Sequence, residues 1–142
     1  MKRIFSTILM FCLLFSFCGS ALAADAEVFS SPTLSRYTAQ LSRGSSSGKI
    51  TVSYRVGASA STTITSIGVS SIKIYKANGT YVTTITGTTS NGLVGRNASS
   101  HSGTYTYSGV SGTSYYAKVT MFATAGGITD SGTVKTNTVT AP

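Results

Sequence analysis

Beyond about residue 35, apolar and polar positions alternate with period two through most of the chain, as in strands that bury one face. Residues 104–123 show this most densely, as two alternating runs on either side of a glycine-containing corner at 108–112. In the second run Tyr115, Ala117, Val119 and Met121 share one face, and Tyr116, Lys118, Thr120 and Phe122 share the other. Residues 49–56 alternate as cleanly, with Ile50, Val52, Tyr54 and Val56 opposed to Thr51, Ser53 and Arg55. Before them, Tyr37, Ala39 and Leu41 mark a strand over 36–42, and the glycines and serines of 44–48 mark a turn.

Further along, Ile67 and Val69 alternate in one phase and Ile72 and Ile74 in the other, which places a β-bulge at Ser70-Ser71. Asn78-Gly79 lies between apolar runs and reads as a two-residue type I′ hairpin turn. That loop length would pair Tyr75 with Val82, Ile74 with Thr83 and Ile72 with Ile85. One face then holds Ile72, Ile74 and Ile85 for the core, and the other Lys73, Tyr75 and Val82. Residues 87–103 form a long polar connection anchored only by Leu93 and Val94; such a length is either functional or hides a short strand. Gly126-Gly127 makes the next turn, and a last strand runs over 128–139. No helical periodicity occurs after the N-terminal segment. Seven strands at this spacing predict an all-β fold, a seven-stranded antiparallel β-sandwich.

The N-terminal segment changes the picture. Lys2 and Arg3 precede an apolar run over 4–17, and Ala21-Leu22-Ala23 supplies the small residues of a cleavage site. This predicts a signal peptide over 1–23 and a secreted protein, extracellular or loosely associated with the cell wall, with no transmembrane anchor. Phe17 before Cys18 does not suit lipid attachment. A flexible lead-in over 24–35 and a single sandwich domain over 36–142 follow. Both cysteines, Cys12 and Cys18, fall inside the signal, so the exported chain holds no disulfide and no thiolate metal site. After cleavage nine Lys and Arg face only Asp25, Glu27 and Asp130. Export argues against a nucleic-acid partner. The surplus of positive charge points to an anionic extracellular surface.

Two resemblances refine the fold. Thr113-Ser-Tyr115-Tyr-Ala-Lys-Val119 resembles the Thr-x-Tyr-x-x-x-Val signature of the sixth strand in fibronectin type III and immunoglobulin-like sandwiches. That resemblance implies that Tyr115 caps the corner with its hydroxyl. The segment 67–79, taken with 115–119, resembles a group of small secreted proteins of Gram-positive gut bacteria. It implies fold and origin, and it implies no activity.

Catalytic chemistry finds little footing. His101 is the single histidine, and no Gly-x-Ser-x-Gly elbow accompanies it. Two of the three acids sit in the lead-in, which leaves no carboxylate pair for glycoside hydrolysis and few ligands for calcium or zinc. The expectation is a protein that is not an enzyme and takes no cofactor or metal. Asn78-Gly-Thr80 and Asn97-Ala-Ser99 match the glycosylation acceptor, but chance matches are expected in a chain so rich in Ser and Thr. What remains is a surface. Combining the two registers puts Lys73, Tyr75, Val82, Tyr116, Lys118 and Phe122, together with Lys135, on one outer sheet face. Such a platform could bind an anionic cell-wall polymer, a glycan or a protein. The role expected is an extracellular or cell-envelope binding module. The alternatives are passive retention by charge and a structural subunit that pairs by its edge strands.

Overall fold

The computed structural model describes residues 33–142. The expected signal peptide at 1–23, and the expected lead-in as far as residue 32, lie outside them. Nine strands and no helix make up the described chain: β1 (Thr33–Arg43), β2 (Lys49–Ser59), β3 (Ile64–Lys76), β4 (Tyr81–Thr86), β5 (Val94–Arg96), β6 (Ser100–Ser108), β7 (Ser114–Ala125), β8 (Ile128–Lys135) and β9 (Val139–Thr140). Seven are long. The other two, β5 and β9, raise the count to nine.

All pairings are antiparallel. One sheet has the order β1-β2-β6, and the other β4-β3-β7-β8, with β5 added to β3 and β9 to β7. Three long strands of one sheet thus face four of the other, an antiparallel β-sandwich. The sheets bury the faces that the alternation selects: Ile50, Val52, Tyr54 and Val56 from β2, Ile67, Val69, Ile72 and Ile74 from β3, and Tyr115, Ala117, Val119 and Met121 from β7. In the β3–β7 register, Val69 pairs with Met121, Ile72 with Val119 and Ile74 with Ala117. The shift between Val69 and Ser71 makes Ser70 the extra residue, at the change of phase. One inserted residue keeps both apolar pairs of β3 on the buried side.

The β3–β4 hairpin departs from the expected turn. Gly79 N–H donates to the Lys76 carbonyl (2.9 Å) and Lys76 N–H to the Thr80 carbonyl (2.9 Å), so the loop is Ala77, Asn78 and Gly79. Gly79 has φ 90°, whereas Asn78 is not at positive φ. This is a three-residue loop closed by a left-handed glycine, with Asn78 Oδ1 accepting from Thr80 N–H (3.0 Å). The longer loop changes the pairing near the turn. Ile72 opposite Ile85 and Ile74 opposite Thr83 hold, but Tyr75 lies opposite Tyr81. Val82 becomes a bulged residue packed against the core, not a member of the outer face.

The polar connection 87–103 is largely structured. Asn91 Oδ1 accepts from Thr88 N–H (2.9 Å) while its Nδ2 donates to the Thr86 carbonyl (2.8 Å). Leu93 is buried, β5 pairs with β3, and β6 begins at Ser100. At the corner between β6 and β7, Tyr115 is 1% exposed and its hydroxyl accepts from Val110 N–H at 2.9 Å. A Cβ on Gly109 would meet that ring at 2.8 Å, so the corner needs glycine there. On the edge of β1, the Asn137 amide acts as a stand-in peptide: Leu41 N–H donates to Oδ1 and Nδ2 donates to the Leu41 carbonyl, both at 2.9 Å.

Removing the Tyr115 hydroxyl leaves the Val110 N–H without its partner. Tyr115→Phe should cost roughly 0.5–1.5 kcal/mol in urea melts. Tyr116→Phe, on the outer face, should cost about 0.5 kcal/mol or less. Equal losses would contradict the assignment of the corner bond.

Candidate functional site

The outer face of β4-β3-β7-β8 carries two parallel rows near one end of the sheet. Tyr81 on β4, Tyr75 on β3 and Tyr116 on β7 stand in directly paired positions, one strand apart. In the next row, Thr84, Lys73, Lys118 and Lys135 follow in order across β4, β3, β7 and β8. Each row exists because outward residues recur every second position and the register aligns them across strands.

The tyrosines pack on one another. Tyr75 and Tyr116 are stacked, with centroids 5.2 Å apart and planes 7° from parallel; Tyr81 meets Tyr75 edge-on at 5.8 Å. Tyr81 also shares a 2.9 Å hydroxyl hydrogen bond with Thr84. Two lysines cross the rows diagonally. Lys118 Nζ lies 5.3 Å from the centre of the Tyr75 ring, and Lys135 Nζ lies 4.5 Å from that of Tyr116. Each ammonium thus sits over the negative face of a ring. The faces of Tyr75 and Tyr116 are therefore occupied, whereas Tyr81 is 55% exposed at the end of the row.

Charge in the lysine row is unbalanced. Lys73 faces Lys118 and Lys118 faces Lys135, and like charges in directly opposed positions destabilise a sheet. Asp130 is the one carboxylate side chain among the described residues, and its Oδ2 accepts from Leu34 N–H (3.0 Å) at the β1 edge.

Of the residues expected on this platform, Lys73, Tyr75, Tyr116, Lys118 and Lys135 come together. Phe122 is on the same face of β7 but four residues beyond Lys118, opposite Gly68 and Ser131, away from the ring cluster. Val82 belongs to the core side. Tyr81 takes its place, and the sequence signal for this is an aromatic residue two positions after Gly79, which a three-residue loop aligns with Tyr75. Asn78 and Gly79 form the turn, and Tyr115 the corner.

His101 is half-buried on β6 with Tyr54 beside it. The Tyr54 hydroxyl donates to the Gly92 carbonyl (2.9 Å), which also lies 2.8 Å from His101 Nε2. Burial raises the Tyr54 phenol above its ordinary pKa, so it stays a donor at neutral pH. This cluster ties the 87–93 segment to the three-stranded sheet. No group of three His, Cys, Asp or Glu side chains placed to hold a metal occurs among the described residues. In comparisons with known protein families, curated proteins and solved structures, nothing matches the chain.

Lys73 is exposed and faces Lys118, with no ring under it, so its charge can be removed with little else lost. At low ionic strength Lys73→Thr should raise stability by roughly 0.2–1 kcal/mol. In molar salt, where charges are screened within about 3 Å, most of that gain should vanish. A gain of the same size in both conditions would assign it to the strand preference of Thr rather than to repulsion.

Proposed function

We propose that the protein is a non-enzymatic binding module of the cell exterior, secreted or loosely held at the cell wall, whose lysine row grips an anionic envelope polymer. The observation that carries this is the directly opposed register of Lys73, Lys118 and Lys135 on three neighbouring strands. Strands lie about 4.8 Å apart, so three positive charges are displayed over roughly 10 Å along a line across the sheet. A chain of negative groups laid along that line would relieve the repulsion as it binds. Tyr75 and Tyr116, which lie beside the lysines, favour a charged partner over a neutral glycan, because their faces are taken by one another and by Lys118 and Lys135. Their part is to support the ammonium groups from below. The N-terminal export signal supports an extracellular setting, and the cationic surplus supports a polymer rich in phosphate.

Passive retention by overall charge makes a different demand: any three cations should then matter equally. Cosedimentation with purified cell wall separates the two readings. Taking roughly 0.5 kcal/mol for each exposed charge contact, replacing Lys73, Lys118 and Lys135 together by Gln should weaken binding about tenfold. Replacing Arg43, Lys49 and Lys76 together by Gln should change it far less. Stripping phosphate from the wall should abolish the difference. Equal losses from the two triple variants would leave only passive retention.

A further inference from the structure

The outer face of the three-stranded sheet has a different chemistry. Across residues 36–42, 51–57 and 100–106 its outward positions are all Ser, Thr, Gln, Arg or Gly. Two registers are side by side there. Arg36, Gly57 and Ser100 form one row across β1, β2 and β6, and Thr38, Arg55 and Ser102 form the next. Arg36 and Arg55 are therefore diagonal neighbours, at a spacing of roughly 7–8 Å. Both are exposed, and neither guanidinium has an ion pair or hydrogen bond among the described residues.

Gly57 is the centre of this arrangement, and the fold does not need glycine there. Its φ is not in the left-handed region, and an added Cβ would meet nothing closer than 3.6 Å. Glycine weakens a strand interior, and one reason to find it there is the close approach of a ligand. The atom at 3.6 Å is the Ser35 hydroxyl oxygen. Ser35 reaches this face because the β1 register shifts between Leu34 and Arg36, making it the bulged residue. A missing side chain, a bulge and two unpaired guanidiniums thus converge on one spot. They line a cleft of about 420 Å³ that includes Ser100 and Ser102. It adjoins a second cleft of about 700 Å³, lined by Gln40, Ser53 and Thr104, which shares Arg55 and Ser102 with the first. Both volumes are within the range of ligand sites.

From this we infer that the face is a second binding site, which takes an acidic oligosaccharide and holds a uronate carboxylate between Arg36 and Arg55 over Gly57. The planar guanidinium fork matches a planar carboxylate and donates to both its oxygens. Ser35, Ser100 and Ser102 are placed to meet the hydroxyls of the same sugar, and the adjoining cleft extends the contact to the next sugars along the chain.

Calorimetric titration of the whole exported protein with trigalacturonate tests this, with the methyl-esterified trimer as the uncharged probe. The acid trimer should bind, and esterification should weaken it about tenfold or more, the scale of a lost charged hydrogen bond. Arg36→Gln and Arg55→Gln should each weaken binding several-fold. Gly57→Val should abolish binding while raising the melting temperature, because it fills the floor and suits a strand. Lys76→Gln, an exposed charge at the far end of β3 and outside both proposed sites, should leave binding unchanged. Equal binding of acid and ester, retention of binding in Gly57→Val, or no binding of the acid trimer would each overturn the assignment.

Discussion

Along the β3–β7 pairing each step places one residue pair in the core and the next on the outer face. Ile72 with Val119 and Ile74 with Ala117 fill the interior; Lys73 with Lys118 and Tyr75 with Tyr116 stand outside. A slip of one residue would exchange these sets and bury lysines in apolar surroundings, so the core enforces the alignment of the outer rows. The order of the surface is thus a by-product of the order of the interior. The Ser70 bulge serves the same end by keeping Ile67 and Val69 on the same side as Ile72 and Ile74.

The remaining cohesion comes from side chains that do the work of backbone. Asn137 satisfies both peptide groups of Leu41 on the β1 edge, and Asp130 takes the Leu34 N–H further along it. Thr136, buried where β8 gives way to β9, accepts from Ala117 N–H through Oγ1 (2.9 Å), and its own N–H donates to the Ala117 carbonyl. The Asn137 and Asp130 contacts join the β1 edge of one sheet to the β8 side of the other. They also occupy peptide groups that edge-to-edge pairing through β1 would need.

Wherever one face had to be apolar, the sequence made the structure legible. The runs around Ile50 and Tyr115, and the phase change at Ser70, translate directly into β2, β7 and the bulge. Legibility failed where space rather than hydrophobicity decided. The inward positions at the start of β6 are His101 and Gly103, and a Cβ at Gly103 would lie 2.7 Å from the Tyr54 hydroxyl oxygen. Tyr54 fills that part of the interior, so no apolar alternation announces the strand. Asn78-Gly79 misled for a local reason: Asn78 uses its side chain to cap Thr80 N–H, and only Gly79 takes positive φ. That added one residue to the loop and exchanged Val82 for Tyr81. The Arg36–Arg55 cleft was hidden because the clean alternation of residues 49–56 stops at Gly57, whereas β2 runs on to Ser59.

The β3–β7–β8 register displays a lysine row, and the proposed anionic polymer would bind along it. Residue-resolved NMR on isotope-labelled protein, titrated with a short glycerol phosphate polymer, tests it most directly. Shifts should concentrate at Lys73, Lys118 and Lys135, largest at Lys118, which has a lysine on either side. They should spare Arg43, Lys49, Lys76 and Arg96. Shifts spread evenly over all the basic residues would contradict the claim.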